Sequence, residues 1–229
     1  MPGAEPSLTE HGDGITAIDT DLLRPQFDAC HLVTAGERAA FVDSGVNASV
    51  PLFLATLEQK GIDPAAVDYL FLTHVHLDHA GGAGLLMQSL PNAKAVLHPR
   101  GAPHMIDPDK LIRGAMAVYG EDAYRAMYGD ILAIPEDRVI VAEDRQAFTF
   151  GGRGFVSVFT EGHARHHHCF HDPDSASVFT GDSFGLSYRE LDTEQGEFIY
   201  PTTTPVHFDP PEAHRAIDTI LSFEPEQLF

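Results

Sequence analysis

The stretch Thr73-His74-Val75-His76-Leu77-Asp78-His79-Ala80-Gly81-Gly82 places four side chains that can bind a metal within six positions. It begins at the end of residues 67–73, where apolar side chains come almost without a break, as in a strand buried on both faces. On a chain still extended, His74 and His76 project to the same side, whereas Asp78 and His79 fall in the turn that enters the next helix. The run therefore predicts two adjacent ligand clusters, although any one of these residues could equally be a solvated loop side chain.

Short strands and helices alternate around this run. Residues 14–19, 29–35 and 38–43 predict antiparallel strands, and a helix at 47–60 ends at Gly61. The strand at 67–73, a helix over 84–90 and a strand at 94–97 make a β-α-β unit. Further strands are predicted at 138–141, 147–150, 154–159, 168–171 and 177–180, before a helix at 210–223. We predict one α/β domain over residues 1–229, with two mixed sheets packed face to face and helices on the outer faces.

Between residues 99 and 135 the periodicity becomes helical, with glycine and proline punctuation. We predict a helical insertion there. Its methionines and tyrosines suit an ordinary core, and they also suit an adaptable apolar lid over a pocket.

Charge and composition limit the partners and the cellular location that the protein can have. The formal net charge of −20, from 34 acidic and 14 basic residues, repels a phosphate backbone, so we expect no nucleic-acid partner. Residues 1–14 lack a basic or apolar leader and no segment reaches membrane-spanning length, so we expect a cytoplasmic protein with no membrane partner. Cys30 and Cys169 lie in apolar, strand-like surroundings and are predicted to be reduced and buried, with Cys169 an alternative metal ligand beside a histidine cluster.

Two later dipeptides, Gly162-His163 and Gly181-Asp182, each follow a β-rich segment. In both, a small residue leaves the backbone free to approach a metal, and a ligand type comes next. Either dipeptide alone would be uninformative. Their order after the run at 74–79 makes them candidate ligands.

With these dipeptides following the His-X-His-X-Asp-His motif, the chain resembles the metallo-beta-lactamase superfamily, and within it the glyoxalase II-like hydrolases, from about Gly14 to its end. The resemblance implies an αββα sandwich with a two-metal site along the sheet edges. It implies that one metal is held by His74, His76 and His163. The other would be held by Asp78 and His79, with Asp182 bridging the two.

The same resemblance implies supporting residues. Asp43, in Phe-Val-Asp-Ser-Gly, matches the family's aspartate after an early strand, but from the sequence it could equally cap the following helix. His167 stands where the family has a second histidine, although Arg165-His166 replaces the usual Pro-Gly. We expect His166 and His167 to support the site or line the pocket without binding metal, and His168 to belong to the next strand.

The family pattern ends with a histidine after a strand that follows the last helix. Here residues 225–229 begin such a strand and the sequence stops. We expect that the chain is shortened before this ligand; otherwise water, a partner chain or His207 completes the second site. An unfinished strand would expose a sheet edge, so a homo-oligomer is a further expectation.

Nitrogen and carboxylate ligands suit two divalent ions, Zn²⁺ first, with iron or manganese admissible. Two ions bridged by Asp182 at roughly 3.5–4 Å would generate a hydroxide that attacks a carbonyl, with Asp78 as a catalytic group that steers protons. The sequence contains no P-loop and no dinucleotide fingerprint. We therefore predict hydrolysis of a small-molecule ester, lactone or thioester.

The substrate must depend on the insertion and on residues 183–208, where Tyr188, Tyr200 and His207 are candidate pocket residues. Within the superfamily, an aspartate at the position of Asp182 favours glyoxalase-like, lactonase-like or phosphodiesterase-like branches over true beta-lactamases. Two other functions stay open: an iron-dependent redox enzyme of the persulfide dioxygenase type, and a non-catalytic metal-binding sensor or effector. The diiron reductases typically have Glu where His76 stands, which counts against that form of redox enzyme.

Overall fold

The computed structural model describes residues 5–204 and 207–229. It contains a seven-stranded and a five-stranded sheet whose inner faces share one apolar core. Helices cover the outer face of each sheet. This is the αββα sandwich of two mixed sheets predicted from the sequence.

The first sheet is built in chain order from β1 (Leu8–Gly12), β2 (Ile15–Asp19), β3 (Ala29–Ala35), β4 (Arg38–Val42), β5 (Val67–Phe71), β6 (Lys94–Leu97) and β7 (Val139–Val141). Strands β1 to β4 are antiparallel, and β4 to β7 are parallel. The parallel part follows from the crossover helices α1 (Val50–Gln59), α2 (Leu77–Ala80) and α3 (Ala83–Ser89) between its strands. β1 lies outside the strands that the sequence predicts, because most of its residues are exposed and show no apolar alternation.

The second sheet contains β8 (Ala147–Phe150), β9 (Arg153–Phe159), β10 (His168–Asp172), β11 (Ser177–Phe179) and β12 (Gln227–Leu228), in the spatial order β12-β11-β10-β9-β8. Its pairs are antiparallel except β11 with β12. Helix α7 (Pro210–Leu221) precedes β12, and its Ile220 packs on Cys169 and Val178. Both cysteines are buried and unbridged, as predicted.

Three helices fall within the predicted insertion: α4 (Ala102–Ile106), α5 (Asp109–Tyr119) and α6 (Glu121–Tyr128). Tyr124 and Tyr128 are buried against Leu77, the residue between His76 and Asp78. The insertion therefore has a core of its own beside the histidine run. Among the helices of the described ranges, none is both long enough and apolar enough to cross a lipid bilayer.

Candidate metal centre

Strand ends meet at one edge of the sandwich and supply the candidate ligands. His74 and His76 follow β5, His163 follows β9, and Asp182 follows β11. One ligand atom from each of these four residues lies within 4.8 Å of the others. The structure thus brings four of the six predicted metal ligands into a single group.

His74, His76 and His163 form what we call the three-histidine half of the centre. Nδ1 of His76 lies 2.9 Å from Nε2 of His74 and 3.0 Å from Nε2 of His163. Tetrahedral zinc would hold such nitrogens roughly 3.3 Å apart, so the three atoms are spaced as donors to one ion. Burial lowers the pKa of His74 and of His76, and it lowers that of His163 to about 4. The rings are neutral at physiological pH, which is the form that binds metal.

Asp43, Asp78, His79 and Asp182 form the carboxylate-rich half. Asp182 faces both halves, with Oδ2 at 3.2 Å from Nε2 of His163 and Oδ1 at 3.2 Å from Nε2 of His79. Asp78 lies farther out, with Oδ2 at 3.9 Å from the same His79 nitrogen. Asp78 and His79 therefore lie beside the four-residue group but outside it, and Asp182 has the position of a bridge.

The carboxylate-rich half strongly attracts positive charge. Burial alone would lower the pKa of His79, but Asp182, Asp78 and Asp43 together raise it well above its ordinary value. Burial would likewise raise the pKa of Asp182, yet His79 and His163 bring it below its usual range. Without a metal, a protonated His79 balances these carboxylates at neutral pH. A divalent cation fits the same surroundings.

Asp43 orients one histidine of each half. Its Oδ1 accepts from the Thr73 backbone N–H at 2.8 Å, and its Oδ2 accepts from Thr73 Oγ1 at 2.8 Å and from His79 Nδ1 at 2.9 Å. Because Thr73 Oγ1 donates to Asp43, it can accept from Nδ1 of His74, 3.1 Å away. Both imidazoles are thereby turned with Nε2 toward the site. The following helical turn, Asn47–Ser49, has no side-chain cap. Asp43 therefore contacts a candidate ligand, His79, and does not cap a helix.

His167 holds the backbone at Asp182. Its buried Nε2 accepts from the Asp182 backbone N–H at 3.2 Å, and its ring stacks on His74 with centroids 4.8 Å apart. Gly181 has φ +48°, and a Cβ there would lie 2.7 Å from Thr73 Oγ1 and 2.9 Å from His167 Nε2. Glycine is required at this turn because the backbone passes so close to the ligand shell.

The neighbouring residues of this segment have other contacts. His166 is half-buried, with its ring 5.4 Å from that of His76. His168 begins β10, as predicted, and its Nε2 donates to the Leu72 carbonyl at 2.7 Å. Cys169 lies 3.1 Å from Thr160 Oγ1 and, among the described residues, is not part of the metal-ligand group.

A cavity of about 610 Å³ opens beside the centre and is lined by Asp43, His79 and Asp182. Tyr188 also lines it, and Tyr200 contacts the Tyr188 ring with centroids 6.0 Å apart. His207, predicted as a pocket residue or sixth ligand, is exposed and is neither in the cavity lining nor in the ligand group of the described ranges.

Asp28 was not predicted from the sequence, yet it lines the same cavity. It precedes β3 by one residue and belongs to no motif, so only the fold reveals its position.

The chain belongs to the metallo-beta-lactamase superfamily, whose family profile matches residues 23–228. A metallo-beta-lactamase fold-containing protein from Sulfurisphaera tokodaii, ST1585, is 30% identical over 186 residues, which are 80% of this chain and 64% of that protein. The crystal structure of ST1585 superposes with a TM-score of 0.76 and 27% identity, covering 95% of this chain and 78% of that one.

Two curated relatives carry named activities. The atrochrysone carboxyl ACP thioesterase of Aspergillus fumigatus is 31% identical over 117 residues, which are 51% of this chain and 27% of that protein. The N-acyl homoserine lactonase AttM of Azorhizobium caulinodans is 28% identical over 117 residues, 51% of this chain and 40% of that protein. The chain spans less than two thirds of the length of each of these three curated relatives.

Proposed function

We propose that this protein is a dinuclear, metal-dependent hydrolase of a small-molecule ester, lactone or thioester, of the glyoxalase II-like type. The observation that carries the proposal is the convergence of three neutral imidazoles and one carboxylate within 4.8 Å, with that carboxylate also lining a cavity. Membership of the superfamily and similarity to a thioesterase and a lactonase support the reaction class. The donor set favours Zn²⁺, and iron or manganese would also be accepted.

The three-histidine half would hold one ion, Asp78 and His79 the other, and Asp182 would join them. Bound divalent ions would supply Lewis acidity, which lowers the pKa of water and polarises a carbonyl. Asp43 fixes the orientation of His74 through Thr73 and that of His79 directly.

In the proposed reaction, one further side chain would act on the substrate and another on protons. Burial and the neighbouring Tyr200 raise the pKa of Tyr188 to about 12, so its hydroxyl is a neutral donor on the cavity wall for a substrate carbonyl. The Asp78 side chain is 41% exposed, and its Oδ2 lies 3.9 Å from Nε2 of His79. As a residue at the open side of the centre, it would help to steer protons.

Hydrolysis of one ester, one thioester and one lactone tests the proposal. Metal-replete protein is assayed with phenyl acetate, thiophenyl acetate and γ-butyrolactone, and metal content is measured in the same preparation. We expect turnover of at least one compound, and its loss in His76→Ala. His214→Ala is the matched control, because His214 is exposed on α7 and should leave turnover unchanged.

Equal turnover in His76→Ala and the parent protein would contradict the proposal. So would a protein that contains mainly iron, hydrolyses none of the three compounds and consumes oxygen with a thiol substrate. That result would establish the redox alternative.

A further inference from the structure

Two loops meet in the cavity wall beside the candidate metal centre. Phe27 and Asp28 belong to the loop before β3, and Tyr188 to the loop that follows Asp182; all three line the cavity. The Phe27 and Tyr188 rings are stacked, with centroids 5.4 Å apart and planes 12° apart. Aromatic surface therefore forms part of the wall against which a substrate must lie.

Arg24 braces this pair from outside the cavity lining. Its guanidinium carbon lies 5.0 Å from the Phe27 ring centroid and 5.3 Å from that of Tyr188, and it forms an ion pair with Glu190. The two loops are thus joined by a ring stack, two cation–π contacts and an ion pair. The wall is formed before any substrate binds, so little ordering is needed on binding.

Asp28 adds a carboxyl group to the wall, and this group has no cationic partner in an ion pair of the described ranges. Its Oδ2 accepts from Thr20 Oγ1 at 2.8 Å, and none of the ion pairs formed within residues 5–204 and 207–229 includes it. Burial, together with Asp78 and Asp43 and despite His79, raises the pKa of Asp28 to about 7. A cation or a hydrogen-bond donor beside Asp28 would therefore stabilise its charged form, which burial and the other carboxylates disfavour.

Apart from His79, which the carboxylates of the metal centre surround, the arginine of the lining and its neutral His31 do not compensate for Asp28. Arg189 lines the cavity, but its Nη1 lies 2.7 Å from Glu197 and 3.5 Å from Asp192. His31 is neutral because burial lowers its pKa to about 3. An anionic group at this wall would meet the charge of Asp28 with no free guanidinium to offset it.

We infer that Phe27, Asp28 and Tyr188 determine substrate specificity, and that the substrate group lying against them is aromatic or otherwise apolar and carries a positive charge or none. That this group belongs to a substrate rests on the proposed hydrolytic function; the binding preference itself does not. Acyl groups joined to a phosphate-bearing carrier thiol are disfavoured at this wall.

Calorimetric titration tests the preference without turnover. Metal-replete native protein is titrated at about pH 8.5, above the pKa of Asp28, so that this carboxylate is ionised. The probes are benzyltrimethylammonium, benzyl alcohol and benzenesulfonate, which share a ring and have no bond to hydrolyse. We expect the cation to bind about fivefold to tenfold more tightly than the sulfonate, the range for one nearby charge and one cation–π contact at a partly exposed wall. Equal affinity for the two ions, or tighter binding of the sulfonate, overturns the inference.

Variants locate the preference. Asp28→Asn keeps the shape of the side chain and should bring the ratio of the affinities for the cation and the sulfonate close to one. Phe27→Ala should weaken the binding of all three aromatic probes. Phe198→Ala is the control, because Phe198 lies in the loop that contains Tyr188, is 54% exposed and is outside the cavity lining. An unchanged ratio in Asp28→Asn contradicts the role of Asp28. Because no probe is hydrolysed, a protein without esterase activity could still show the preference, so failure of the proposed function is separately detectable.

Discussion

The two halves of the candidate metal centre are built on opposite electrostatic principles. In the three-histidine half, buried and neutral imidazoles converge on one point. In the carboxylate-rich half, carboxylates surround one imidazole and raise its pKa. The first half selects an ion by donor type and geometry, and the second attracts it by charge. The two ions of the proposed dinuclear centre should therefore differ in how their binding depends on ligand loss and on pH.

Removal of one imidazole donor should have the largest effect on activity and on metal content. In His76→Ala the three-histidine half keeps only two nitrogens, and Nδ1 of His76 is the atom nearest to both of them. We expect a loss of activity greater than the roughly 10–100-fold that loss of an outer-shell partner costs. Elemental analysis should show the bound metal falling by at least one ion per chain. Full metal content in the variant would show that this half is not a metal site.

Asp43→Asn should affect both halves at once. The substitution keeps the size of the side chain but removes the charge that accepts from Thr73 and His79. We expect metal affinity or activity to fall roughly 10–100-fold. Competition with a chelator measures the affinity of each ion. Weakening of only one ion would contradict the shared role of Asp43.

The pH dependence of metal binding should separate the halves. His79 is protonated at neutral pH in the metal-free protein because its pKa is raised, so binding there must release its proton. His163, with a pKa of about 4, has no proton to release at pH 7. Affinity of the carboxylate-rich half should fall roughly tenfold per unit decrease in pH, and that of the other half should change little between pH 7 and 6. Calorimetry in buffers of different ionisation enthalpy counts the protons released by each ion.

Much of the fold is local enough to be predicted from the sequence. The predicted strands at 29–35 and 147–150 coincide with β3 and β8, because apolar and turn residues mark both ends. The grouping of His74, His76, His163 and Asp182 could be expected because all four follow strand ends, and a family motif sets their order.

Other features depend on contacts between distant segments. The sequence shows only that Asp43 follows a strand; its hydrogen bonds to Thr73 and His79 require β4 and β5 to lie side by side in register. Asp28 is a lone aspartate in a loop, and it reaches the cavity only because that loop contacts Tyr188 through Phe27. His207 is a residue type that can bind metal, but in the fold it is exposed and lies outside the cavity lining.

The smallest predicted effect concerns stability of the metal-free protein, and the two kinds of histidine should act with opposite sign. Burial lowers the pKa of His168 to about 3 in the folded protein. As the pH falls below about 6.5, His168 therefore becomes protonated in the unfolded chain but stays neutral in the folded one. Stability from such residues is present above pH 6.5 and falls by up to about 1.4 kcal/mol per pH unit per histidine as the pH drops toward 3. His79 has a raised pKa, so its stabilisation is complete below pH 6.5 and is lost as the pH rises through its folded value.

Urea unfolding of metal-free protein from pH 5 to pH 9 measures both slopes. His168→Asn should flatten the acid side, even though loss of its hydrogen bond to the Leu72 carbonyl lowers stability at every pH. His79→Asn should flatten the alkaline side and leave the acid side unchanged. His168 lies outside both halves, but burial keeps it neutral in the same way as the three candidate donor histidines. If both variants altered the same side of the profile, a buried histidine and the carboxylate-held His79 would not differ in charge as the structure indicates.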